Sequence, residues 1–150
     1  MPWLLIDGHN VIFHHPTLTQ DYKRRPTTAI DYLISQAQHI SDTRDWRTVL
    51  FFDGNFKSRG ISCSRSCKLE IIFADSYLTA DALIEKLCQK IPPSQDIFVV
   101  TADVALTQSI ASSRVHVFTP DWFFQECKAA RETLQDSLRR INRKARWERH

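Results

Sequence analysis

Five aspartates fall where short apolar runs end. Asp7, Asp53, Asp75 and Asp103 stand at or just past such runs, and Asp81 opens the helical pattern that follows the third run. Two of these sites echo each other: Leu5-Ile6-Asp7-Gly8 and Phe51-Phe52-Asp53-Gly54 both set Asp-Gly after a buried-type segment. Carboxylates brought together raise each other's pKa, and a divalent cation relieves that conflict. Hard oxygen donors of this kind suit Mg²⁺ or Mn²⁺ with water kept in the shell. The chemistry they serve is metal-assisted phosphodiester hydrolysis, in which the ion activates water, orients the phosphate and stabilises the leaving oxygen. Taken singly, each Asp also reads as a helix cap or a turn former. Four of them on one edge is the observation that favours a site. Glu85, one helical turn after Asp81, either supports that site or pairs with a nearby base.

The elements must bring these residues together. Residues 3–6, 48–52, 69–73, 97–100 and 115–118 read as five strands. Between them lie helical patterns. One opens at Pro26 with the stripe Ile30, Leu33, Ile34, Ala37 and Ile40. One is capped by Thr79 and stops before Pro92-Pro93, one covers 103–113, and a long one opens at Thr119-Pro120-Asp121. Residues 11–14 read as a short helical turn and 55–68 as a polar, basic loop. Alternation of near-continuous apolar strands with helices predicts a parallel α/β sheet with helices on both faces. In such a sheet all strands point one way, and ligands sit beyond their carboxyl ends. Asp7, Asp53, Asp81 and Asp103 should therefore share one edge.

Composition bounds the rest. The chain has 150 residues, 43% hydrophobic and 25% charged, with 3 Gly and 6 Pro. That suits one core-forming domain over 1–150 and excludes low-complexity disorder. No apolar run nears the roughly 20 residues of a membrane span. The first residues lack a basic n-region, so no signal peptide is expected and the setting is cytoplasmic. Four Cys then read as reduced thiols, and Cys63 and Cys67 lack zinc-site spacing. The net charge of +3 conceals a division: 131–150 carries +4 and 1–130 carries −1. A basic C-terminal helix or tail over 131–150 suits a polyanion, although a solvated helix end would look the same.

Two other Asp-centred α/β chemistries fail on their motifs. A haloacid-dehalogenase phosphatase needs a second acid two residues after the first, where His9 stands. A receiver domain needs a Lys-Pro after its last strand, where Thr119-Pro120 stands. His14 and His15 have no third partner for acid–base work and are assigned to finishing the first helical turn.

The segments Leu5-Ile6-Asp7-Gly8-His9-Asn10, Val49-Leu50-Phe51-Phe52-Asp53-Gly54, Thr79-Ala80-Asp81-Ala82-Leu83-Ile84-Glu85 and Val99-Val100-Thr101-Ala102-Asp103 occur in this order. Together they resemble the NYN nuclease domains, specifically the bacterial YacP-like group, over about residues 3–125. The resemblance implies a PIN-like three-layer sandwich, with a central parallel sheet of about five strands and helices on both faces. It also implies metal-dependent RNA cleavage and a place in RNA processing and decay. By resemblance Asp7, Asp81 and Asp103 are the central ligands of Mg²⁺ or Mn²⁺, with Asp53 and Asn10 close by. Asn10 could offer its amide oxygen or orient a water, or be only a turn residue. His9 replaces the Tyr usual in the family, and Ala102 a frequent Ser.

Lys23, Arg24 and Arg25, and Lys57, Arg59, Arg65 and Lys68 in the long loop, are expected to rim the acidic edge and bind RNA phosphates. Tyr22, Phe56 and Trp147 are interleaved with basic residues and could stack bases or simply pack. The expected function is an endoribonuclease cutting single-stranded RNA, with mRNA as the leading substrate. Ribosome association, known within the group, supplies a second partner. The alternative from another class is a non-catalytic RNA- or ribosome-binding adaptor that keeps the fold. Intact acids favour the enzyme. A DNA 5′ nuclease would need a helical clamp for which the chain is short.

Overall fold

The computed structural model describes residues 1–54, 63–64, 68–75 and 77–148, with backbone alone at 63–64 and 147–148. Its elements are β1 (Trp3–Asp7), α1 (Gly8–Phe13), α2 (Pro16–Arg24), α3 (Pro26–Arg44), β2 (Arg47–Phe52) and β3 (Cys63–Ser64). They continue with β4 (Leu69–Phe73), α4 (Ala80–Lys90), β5 (Ile97–Val100), α5 (Val104–Ser109), β6 (Val115–Phe118) and α6 (Pro120–Glu148). The sheet order is β3-β4-β2-β1-β5-β6. The five strands read from the sequence are all parallel, and β3 adds a short antiparallel edge against β4. The chain builds outward from β1 to β2 and β4, then returns to β1's other side with β5 and β6. Beside β1, therefore, strand order reverses, which opens a crevice at the carboxyl ends.

Side chains alternate across the sheet and divide the core in two. Leu4, Ile6, Leu50, Phe52, Ile71 and Val100 meet α1, α2, α3 and α6. Leu5, Val49, Phe51, Ile97 and Val99 meet α4 and α5. Asp7 continues the parity of Leu5, so its carboxyl lies on the α4–α5 side. The pairings Asp7↔Phe51 and Ile6↔Val100 set the ends of β1, β2 and β5 level.

The helix caps explain the boundaries. Thr79 accepts from Ala82 N–H at 3.1 Å, and Thr119 from Trp122 N–H at 3.1 Å, each through its hydroxyl. Asp45 closes α3 in the left-handed region at φ 57°. The Arg114 guanidinium donates to the carbonyls of Cys88, Ile91, Pro92 and Gln95 and fixes the end of α4 against the sheet. Both Asp-Gly pairs serve close approach and not a positive φ, which neither glycine adopts. A Cβ on Gly8 would lie 2.6 Å from the Phe51 carbonyl oxygen, and one on Gly54 1.7 Å from that of Ala74. Burial raises the thiols of Cys88 and Cys127 to about 11 and about 12, so both stay protonated.

Three local differences from the sequence reading stand out. The turn expected at 11–14 is the helix α1, starting at Gly8. Residues 16–24, given no element from the sequence, form α2. Residues 103–113 shorten to Val104–Ser109.

Candidate metal centre

Asp7 ends β1, the central strand, and is only 5% exposed. It occupies the N-cap position of α1 but makes no side-chain cap bond, so its carboxyl is not used up by the helix. The Thr101 hydroxyl, itself buried just past β5, meets Asp7 Oδ2 at 3.2 Å. Burial pushes the Asp7 carboxyl up to about 7, and the neighbouring charge of Asp81 pushes the same way. Asp53 adds a smaller repulsion, and the Thr101 hydroxyl opposes all three. Asp81, in the first turn of α4, is likewise raised by burial and then by Asp103 and Asp53. Asp7 thus feels the charges of Asp81 and Asp53, and Asp81 those of Asp103 and Asp53.

Asp53 and Asp103 combine this proximity with structural work. Asp53 Oδ1 accepts from Ala80 N–H at 3.0 Å, which ties the end of β2 to the start of α4. Asp103 Oδ1 caps α5 through Leu106 N–H at 3.1 Å, and its own N–H donates to Thr101 Oγ1 at 3.1 Å. Each keeps a second carboxylate oxygen. The helix-cap reading and the site reading of Asp103 are therefore compatible. Asp75 is different: its Oδ1 accepts from Tyr77 and Leu78 N–H at 2.9 and 3.1 Å, as an exposed turn former. Glu85 is not among the groups acting on Asp7 or Asp81.

Asn10 Oδ1 accepts from Ala102 N–H at 2.8 Å, which couples α1 to the loop after β5. The amide oxygen offered to a metal by the sequence is already an acceptor, and the NH₂ group is left for a water or a phosphate oxygen. His9 is a residue the sequence reading gave no role. It is buried, and its Nδ1 accepts from Asp53 N–H at 3.0 Å. Nδ1 therefore carries no proton, and Nε2 donates to the Tyr22 hydroxyl at 3.2 Å. Burial lowers the His9 pKa against the pull of Asp53, consistent with the neutral tautomer this geometry requires. The available signal is a His directly after the first Asp-Gly, ahead of the apolar Val11 and Ile12. Tyr22 is engaged in this contact and packs edge-on to His9 and Phe13.

The basic groups divide. Lys23 and Arg24 end α2 and Arg25 follows it, all exposed and adjoining Tyr22. Lys68 is a correction. It precedes β4, so it lies at the amino edge, about 16 Å of strand from the acids, and its Nζ pairs with Asp45. Lys57, Arg59, Arg65 and Phe56 lie outside the described residues, as does the Trp147 side chain. His15 caps α2 through Leu18 N–H at 3.2 Å, and His14 Nδ1 meets Asn10 O at 2.7 Å.

The donor set contains only hard oxygens, as Mg²⁺ and Mn²⁺ require. Among the described residues, no three His, Cys, Asp or Glu side chains already stand in coordination geometry. What they share is a charge conflict that a divalent cation would remove.

A parallel sheet flanked by helices on both faces, with aspartates at the carboxyl ends of its strands, is a three-layer α/β fold. The chain belongs to the YacP-like NYN domain family, whose model matches residues 4–150. It is similar to the crystal structure of a point mutant of Rae1 (YacP) from Bacillus subtilis, with 26% identity and a TM-score of 0.79. That match covers 95% of this chain and 84% of the other. A second Rae1 (YacP) crystal structure shares the fold at 24% identity and a TM-score of 0.81, over 97% and 84% of the two chains. No curated protein matches the chain. NYN and PIN-like proteins are generally RNA-binding nucleases that use divalent metals. No helix among the described residues is long and apolar enough to cross a membrane.

Proposed function

We propose that this chain is a metal-dependent endoribonuclease acting on single-stranded RNA. The observation that carries the reading is Asp7: a carboxyl buried at the central strand's end and lifted to about 7 by burial and by Asp81. A group so placed costs stability in the metal-free protein, and a bound cation supplies the compensation.

In this reading Asp7, Asp53, Asp81 and Asp103 would hold Mg²⁺ or Mn²⁺. When bound, such an ion lowers the pKa of water and neutralises charge on a phosphodiester. The chain's own groups do the rest. Thr101 orients Asp7, His9 and Ala80 N–H hold Asp53, and the Asn10 NH₂ meets a water or phosphate oxygen. Lys23, Arg24, Arg25, Lys57, Arg59 and Arg65 form a positive rim that draws the polyanion over the acids. Residues 1–150 act as one nuclease domain in this proposal. Messenger RNA is the proposed substrate, the ribosome a proposed partner, and the cytoplasm the proposed setting.

The test is incubation of the purified protein with labelled single-stranded RNA and DNA, each with Mn²⁺ and with EDTA. Cleavage of RNA internally, with Mn²⁺ and not EDTA, is expected. RNA binding without cleavage in any divalent ion would favour the adaptor.

A further inference from the structure

We propose that Tyr77 is a base-stacking residue, seating an unpaired nucleobase of the RNA strand next to the acid cluster. This rests on the nuclease reading above and adds to it how the strand is gripped. Tyr77 is 92% exposed, the most exposed large apolar side chain among the described residues. Phe13, Tyr22, Trp46 and Trp122 all pack against other rings, whereas no ring contact of Tyr77 is found among the described residues. Leaving an aromatic ring in water forfeits the burial that usually stabilises it.

The ring is presented from a fixed loop. Tyr77 and Leu78 N–H both donate to Asp75 Oδ1, at 2.9 and 3.1 Å. Two residues on, Thr79 caps α4, and Ala80 N–H donates to Asp53 Oδ1 at 3.0 Å. Tyr77 precedes Ala80 by three positions, so its backbone lies within about 10 Å of that bond to Asp53. Asp81 comes one residue later. A phosphate held at the acids would therefore place a neighbouring base within reach of the ring. Bases in a duplex are stacked on each other and present no free face, so such a ring selects single strands. A stacked ring brings no cation to the phosphates, so its contribution adds affinity without adding counterion release.

The experiment uses the full chain and a short single-stranded RNA carrying 2-aminopurine, with binding measured in EDTA at several salt concentrations. Tyr77→Ala should weaken binding about 5- to 150-fold, the range of one base–aromatic stack, with the salt slope unchanged. The 2-aminopurine quenching should be lost with it. Tyr77→Phe and Tyr77→Trp should retain both. The exposed ring predicts a Tyr77→Ala melting temperature equal to wild type, which separates loss of stacking from unfolding. If Tyr77→Ala matches wild type in affinity and quenching while wild type cleaves RNA, the stacking role is overturned and the nuclease reading stands. If wild type neither binds nor cleaves RNA, both are overturned.

Discussion

Replacing Asp7 with Asn should stabilise the metal-free protein, by an amount that depends on pH. The Asp7 carboxyl titrates near 3.8 in the unfolded chain and at about 7 when folded. Below pH ~4 it is protonated in both states and costs nothing. As pH rises from 4 to 7 the unfolded chain releases its proton while the folded chain holds it, so stability falls. Above 7 the penalty is complete. About three pKa units at 1.36 kcal/mol each give a ceiling of about 4 kcal/mol. Asn keeps an oxygen for the Thr101 hydroxyl and turns its NH₂ toward the remaining acids. The variant's advantage should grow from under ~2 kcal/mol at pH 5 to about 4 kcal/mol at pH 8. For a chain of this size that is on the order of 10 °C in Tm at pH 8. Circular-dichroism melts in EDTA at the two pH values measure it, and taking the difference cancels the titrations that Asp7 does not influence. Saturating Mn²⁺ should narrow the gap, stabilising wild type by about 2.7 kcal/mol at a hundredfold excess over Kd. An advantage that does not change with pH, or a variant less stable at pH 8, would refute the reasoning.

Gly54→Ala should destabilise by more than about 3 kcal/mol, because its Cβ would fall 1.7 Å from the Ala74 carbonyl oxygen; chemical denaturation measures it. His9→Phe leaves the Asp53 N–H without its His9 acceptor and should cost about 1 kcal/mol and reduce cleavage; His9→Asn, with an acceptor retained, should recover part of the cleavage rate. Removing residues 139–150 takes away the exposed Arg139, Arg140, Arg143, Lys144 and Arg146 of α6. It should weaken RNA binding and flatten its salt dependence, leaving cleavage of a short RNA at saturation unchanged; affinity at two salt concentrations measures this.

The sheet was legible because its strands are buried on both faces and read as continuous apolar runs. Carboxylates past those runs fall at one edge once the strands are parallel, and chain order alone carries Asp7, Asp53 and Asp103 there. α2 was hidden because only Leu18 among its nine residues is buried, leaving no apolar stripe. β3 spans two residues, too short for any period. The sequence places Lys68 with the loop's other bases, yet a residue that precedes a strand lies at the edge opposite the acids. The role of His9 depends on a bond spanning 44 residues of sequence, which no local pattern displays. The partner of the Asn10 amide oxygen, the Ala102 N–H, is 92 residues away and equally hidden from local pattern.

The central claim is that the four aspartates serve RNA cleavage through a divalent ion. Initial rates of Mn²⁺-supported cleavage of one labelled single-stranded RNA, by wild type and by Asp103→Asn, test it most directly. Asn caps a helix as well as Asp does, so α5 and the Leu106 N–H bond survive while one ligand charge is lost. Wild-type cleavage that EDTA stops, with none by the equally folded Asp103→Asn, is the predicted result. Equal rates from the two proteins, or cleavage that persists in EDTA, would contradict the account.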